Sequence, residues 1–178
     1  RLLAETQIPK VFLDTSSLVS PDELNGDLLL MESRNSVRNI TAHLLEKGCT
    51  LPGFMGDIGY AQSNRERYEG FCQALMDAGK TPNPSLCLTT PLGIDSYREE
   101  IDSFLSSLSR MPDAFVCASD YVACILMQLL EKRGLRVPED VYLTGLDDDN
   151  TLPNFGYSMQ YLPSMIDFSE AAAKLLIE

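Results

Sequence analysis

Apolar positions recur along the chain in two alternating rhythms. At helical spacing, residues 35–47 place Val37, Ile40, Leu44 and Leu45 on one face and end near Gly48. Residues 63–78 do the same with Tyr68, Phe71, Cys72 and Leu75 and stop at Gly79. Residues 95–108 carry Ile101, Phe104, Leu105 and Leu108, and residues 120–133 are apolar nearly all round. A closing helix is predicted over 165–177. Short strand-like runs alternate with these segments at 10–13, 27–31, 51–55, 85–89, 113–117 and 141–145, with a last one at 158–162 beyond a polar loop. Pro52 and Gly53 fit a strand interior poorly, so the third run is the least regular.

Residues 134–148 are the most informative stretch. Gly134 follows a helical segment and can take the left-handed conformation that closes it, and Pro138 keeps the helix from restarting. Val141, Tyr142, Leu143 and Thr144 suit a strand covered on both faces. Gly145 and Asp147 then fall just beyond the strand tip, where an open parallel sheet places its ligand crevice.

Strands alternating with helices of this length imply right-handed crossovers and a largely parallel sheet. The predicted fold class is therefore α/β with a doubly wound parallel sheet. Residues 51–147 supply four strands, enough for one complete lobe. Residues 1–50 supply at most two strands and a helix, which suits only part of a second lobe.

Composition narrows the function. A hydrophobic share of 44% supports a substantial core. No apolar run reaches the roughly 18 residues of a membrane span, and residues 1–10 lack the pattern of an export signal. Fourteen Lys and Arg oppose 26 Asp and Glu, a formal charge of -12, and no cationic cluster is present, so this segment is not expected to bind DNA by itself. Cys49, Cys72, Cys87, Cys117 and Cys124 are odd in number and fall in no metal-binding spacing. They are expected to be buried free thiols, consistent with a reducing cytoplasm. His43 has no second histidine, so it is expected to be structural and no metal or other cofactor is expected.

Five segments resemble, in order and spacing, the effector-binding region of the LacI/GalR family of bacterial transcription regulators. Ile8-Pro9-Lys10-Val11-Phe12-Leu13-Asp14 is similar to its I-P-x-V-x-x-D strand, and His43-Leu44-Leu45-Glu46-Lys47-Gly48 to a helix end, H-L-x-x-x-G. Gly56, Ser63, Arg67, Gly70 and Phe71 fit G-x6-S-x3-R-x2-G-F. Residues 112–120 resemble P-D-A-x-x-C-A-N-D, and residues 134–148 resemble G-L-x-V-P-x-D-V-x-x-x-G-F-D-D. The resemblance implies a two-lobed periplasmic-binding-protein-like fold with the ligand between the lobes. It divides the chain into a carboxyl-side lobe at 50–162 and a partial amino-side lobe at 1–49 and 163–178. A helix-turn-helix in front of this segment, a homodimer and DNA binding through that absent domain are further implications.

The same resemblance marks candidate ligand residues. Arg67 offers a planar fork of donors for hydroxyls or an anion, or it pairs with Glu66 or Glu69 on the surface. Asp147 accepts bonds from vicinal hydroxyls, or it is a turn residue with Asp148 and Asp149. Ser119 and Asp120 approach the ligand or cap the long apolar helix. Ser63 is open to the same two roles, and Tyr60 lines the crevice or covers a loop. Three positions depart from the family pattern: Ser119 replaces its asparagine, Pro91 and Leu92 stand near its stacking aromatic, and Pro163 replaces the glutamine where the chain crosses back between lobes. A sugar is the family's usual effector; a nucleoside or another polar metabolite remains open. The expected function is a small-molecule sensor of a regulator. The alternatives are an extracytoplasmic sugar-binding protein of a transporter and an enzyme. Against an enzyme, the chain has no phosphate-binding glycine loop and no nucleophile elbow.

Overall fold

A computed structural model describes residues 8–16, 19–93 and 95–146. The predicted closing strand and helix, and Asp147 to Asp149 and Pro163, lie outside the described residues.

Strands β1 (Val11–Leu13) and β2 (Asp27–Leu29) pair in parallel, with Val11 opposite Asp27 and Leu13 opposite Leu29. Helix α1 (Arg34–Glu46) follows. Then come β3 (Pro52–Met55), α2 (Gln62–Asp77), β4 (Cys87–Leu88), α3 (Tyr97–Ser107), β5 (Ala114–Cys117), α4 (Asp120–Lys132) and β6 (Tyr142–Thr144). The last four strands form one parallel sheet in the order β4-β3-β5-β6. Pro52 and Gly53 are tolerated there: both are buried at the start of β3, opposite Ala114 and Phe115.

Side-chain alternation along the strands divides the core in two. Phe54, Ala114 and Val116 face α1 and α2 and meet Val37, Ile40, Leu44, Phe71 and Leu75. Met55, Phe115 and Cys117 face α3 and α4 and meet Ile101, Leu105, Val122, Leu126 and Leu130. Successive residues of a strand point to opposite faces, so each apolar run fills both layers, and the sheet is doubly wound. Helix α4 is apolar all round because it lies deep in its layer, with nine of its residues buried. It ends as its glycine predicts: Gly134 has a φ of 77°, and its N–H and that of Leu135 return to the carbonyls of Glu131 and Leu130.

Helix α1, expected with residues 1–49 in the amino-side lobe, shares a core with α2, β3 and β5. The amphipathic pattern of α1 requires an apolar cover but does not specify which sheet supplies it. Helices α1 and α2 cross at Gly70, where a Cβ would overlap the backbone carbonyl of Arg34. Arg34–Glu69 and Arg38–Asp77 ion pairs flank the crossing.

At the amino end of the sheet, the Asp113 carboxylate accepts the Thr50 N–H at 2.7 Å, the Thr50 hydroxyl at 2.9 Å and the Leu51 N–H at 2.9 Å. It thereby clips the starts of β3 and β5 together. No disulfide joins the five cysteines; Cys49, Cys117 and Cys124 are buried, as expected, whereas Cys72 and Cys87 are only partly buried. Burial pushes the Cys49 and Cys87 thiols up to about 11 and raises Cys72 and Cys117 as well, so thiolate is scarce at neutral pH.

Gly70→Ala should destabilise the fold by about 1–3 kcal/mol through overpacking at the helix crossing. A urea titration followed by circular dichroism measures this, and an unchanged midpoint would contradict the crossing. Iodoacetamide at pH 7.5 should label the folded chain slowly and react rapidly with its five thiols in urea; fast labelling of all five without urea would refute their protection.

Candidate functional site

In the order β4-β3-β5-β6, the connections leave β3 in one direction and return on its other side. The tips of β3 and β5 are therefore the topological switch point, where the carboxyl edge of a doubly wound sheet opens a crevice. Gly56 follows β3 and Ala118 follows β5. The two touch so closely that a Cβ on Gly56 would overlap that of Ala118. The Ala118 N–H donates to Met55 at 2.8 Å, and the Gly56 N–H donates to Leu88 at 2.9 Å.

Arg67 projects from α2 into this junction and is only 4% exposed. Its Nη1 donates to the Ala118 carbonyl, its Nε lies 3.4 Å from Ser33 Oγ, and its Nη2 lies 3.9 Å from the sulfur of Met31. Met31 and Ser33 belong to the segment joining β2 to α1. The guanidinium thus joins that connector to the tip of β5. Glu66 instead accepts a bond from Gln62, and Glu69 is engaged by Arg34.

Ser119 caps α4: its Oγ accepts the Val122 N–H at 3.3 Å. Asp120, 1% exposed, opens that helix, where a carboxylate complements the helix dipole. Its N–H donates to Leu146 at 3.0 Å, bringing the end of the β6 strand region alongside β5.

Helix α2 departs from the expected pattern. Ser63 lies inside its first turn and does not cap it. The cap comes from Asp14, which follows β1 with a φ of 61°. Asp14 accepts the Ser63 hydroxyl at 2.5 Å, the Ser63 N–H at 3.4 Å and the Thr15 N–H at 2.7 Å. The Gln62 N–H also donates to the Thr15 carbonyl at 2.7 Å. The segment after β1 therefore satisfies two of the free amides that open α2, those of Gln62 and Ser63.

Tyr60 stands in the turn after β3 and is 71% exposed. The structure also brings forward three residues that the sequence did not single out. Asp57 is buried and accepts the Gly59 N–H at 2.8 Å and the Leu92 N–H at 3.4 Å, tying the loops after β3 and β4 together. Tyr97 and Tyr121 meet edge to face with ring centroids 5.7 Å apart. The available signal was positional: each tyrosine opens a helix that follows a strand. Leu92, which with Pro91 stands near the expected stacking aromatic, is buried. Among the described residues, no cluster of three or more His, Cys, Asp or Glu side chains could hold a metal, and no helix is long and apolar enough to cross a membrane.

Residues 41–165 match the family described as a periplasmic binding protein-like domain. The chain belongs to that family, in its LacI/GalR branch. It is 30% identical over 149 residues to the HTH-type transcriptional repressor PurR of Aliivibrio salmonicida, an alignment covering 83% of this chain and 43% of that protein. A LacI-type transcription regulator from Bifidobacterium animalis subsp. lactis superposes with a TM-score of 0.76 at 24% identity, covering 99% of this chain and 65% of that one. The transcriptional regulator CelR in complex with cellobiose gives 0.66 at 25% identity, covering 78% and 41%. The chain thus spans about two fifths of the length of the curated relatives it matches. These relatives are regulators, not enzymes.

Asp14→Ala should cost about 1 kcal/mol of stability, the usual value of a lost N-cap, with Ser63→Ala coming close to it because the two share one bond. Chemical denaturation of both single variants and the double variant tests this. Full additivity of the two losses would show that the side chains act independently.

Proposed function

We propose that this chain is the effector-sensing domain of a LacI-type transcriptional regulator. It binds a sugar or a similar polar metabolite at the tips of β3 and β5, between two lobes. That binding governs DNA recognition by a helix-turn-helix outside this segment, in a cytoplasmic homodimer.

Arg67 carries this reading. A buried guanidinium at the switch point, bonded both to the strand tip and to the connector from the β1–β2 pair, senses how the two parts are arranged. A ligand that exchanges bonds with it, and with Asp147, favours one arrangement over the other. Such coupling is typically worth about 1–3 kcal/mol and requires unequal affinity for the two states. The Asp14–Ser63 bond is a second contact whose making or breaking distinguishes those states. The repressors and regulators among the relatives support sensing for transcription over sensing for a transporter.

The test is a thermal-shift screen over neutral sugars and nucleosides. At a hundredfold excess over Kd, a true effector stabilises the fold by about 2.7 kcal/mol, a shift of several degrees. Asp147→Asn should remove the shift. Arg67→Met should also remove it, and should lower the unliganded Tm because a buried hydrogen-bonding group is lost. Undiminished ligand shifts in both variants would reject the site.

A further inference from the structure

Asn25-Gly26 is the one Asn-Gly pair in the sequence. It stands between a 3-10 turn (Pro21–Glu23) and β2, and both residues are exposed. Beside glycine, the side-chain amide carbon of asparagine is open to attack by the next backbone nitrogen. Glycine puts no Cβ in the way, and its backbone reaches the conformations that such an attack needs.

Packing requires the glycine. A Cβ on Gly26 would stand 2.7 Å from the Lys10 carbonyl oxygen and 3.0 Å from the Phe12 ring. The next N–H, that of Asp27, donates to the same carbonyl at 3.0 Å. The start of the β1–β2 pair therefore excludes any side chain that would shield the Gly26 nitrogen. Among the described residues, no backbone carbonyl accepts the Gly26 N–H. Asn35-Ser36 provides the contrast. It lies in the first turn of α1, where Ser36 is buried and its N–H donates to the Glu32 carboxylate at 3.0 Å. Attack by that nitrogen requires the helix to open first, and local opening costs free energy.

We infer that Asn25 is a site of spontaneous modification, converting through a cyclic imide to aspartate and isoaspartate. The Gly26 nitrogen loses its proton and bonds to Asn25 Cγ, the Cγ–Nδ2 bond breaks, and ammonia departs. Water then adds at either imide carbonyl and opens the ring. One water is taken up and one ammonia released, with no oxidant or reductant. Both products place a carboxylate near Asp22, Glu23 and Asp27. Isoaspartate also lengthens the main chain by one atom, just before the Asp27–Lys10 bond at the start of the β1–β2 pairing. Its carboxyl group suits a methyltransferase that accepts isoaspartyl groups and uses S-adenosylmethionine. The site is independent of effector sensing.

The regulator containing this chain would be aged at pH 7.5, with and without urea, and mapped by peptide mass. Trypsin releases residues 11–34, in which Asn25 is the sole amide side chain. In the folded protein that peptide should gain one dalton and become a methyl acceptor for an isoaspartyl methyltransferase. Both changes should be lost in Asn25→Gln, whose longer side chain would have to close a six-membered ring; the position is exposed, so the variant should fold. The Asn35 peptide should react at least about tenfold more slowly without urea than with it, the effect of a local opening costing about 1.4 kcal/mol, whereas Asn25 should react at similar rates in both. Absence of a mass gain in residues 11–34, a gain without methyl acceptance, a gain undiminished in Asn25→Gln, or an Asn25 rate that rises in urea as steeply as that of Asn35 overturns the inference.

Discussion

The closeness of Gly56 to Ala118 is the constraint on which this structure turns. Only a glycine at the end of β3 lets the tip of β5 come so near. That approach lets the Ala118 N–H reach Met55 and leaves its carbonyl facing the Arg67 guanidinium. The switch point of the sheet and the deeply buried Arg67 are thus two aspects of one contact. A buried guanidinium is tolerated only where its donors are met, and Ala118 and Ser33 meet them from opposite sides.

From that junction the influence spreads outward along two routes. One passes through Ser33 and Met31 into the connector to the β1–β2 pair. The other runs along α2 to its first turn, where Asp14 completes the helix from outside its own segment. Both routes link the small parallel pair to the large sheet by polar bonds. Polar links of this kind exchange readily with water or ligand, whereas the two apolar layers around the sheet do not. Under the proposed sensing function, that division leaves the response to the polar links and the scaffold to the apolar layers.

Much of this arrangement was legible in the sequence. The α-helices and strands of the described residues follow from apolar spacing, although β4 begins only at Cys87 because Pro84–Leu86 form a 3-10 turn, and Gly134 ends α4 as its position implied. The capping role of Ser119 was legible because its partner, Val122, is local. What escaped were partnerships across long separations. The pattern of α1 could not say which sheet covers it, and nothing near Ser63 indicated that Asp14, 49 positions earlier, supplies the cap. Tyr97 and Tyr121 look like ordinary helix-opening residues until the sheet order places α3 and α4 side by side. The candidate pairing of Arg67 with Asp147 lies half outside the described residues.

The clip made by Asp113 has an evolutionary consequence. Because the strand starts are fastened at the edge remote from the crevice, their alignment there does not depend on exposed residues of the opposite edge such as Tyr60. Under the proposed function, substitutions at such positions retune which molecules are recognised while the scaffold persists, so one architecture can serve chemically diverse signals through piecemeal change on a single side.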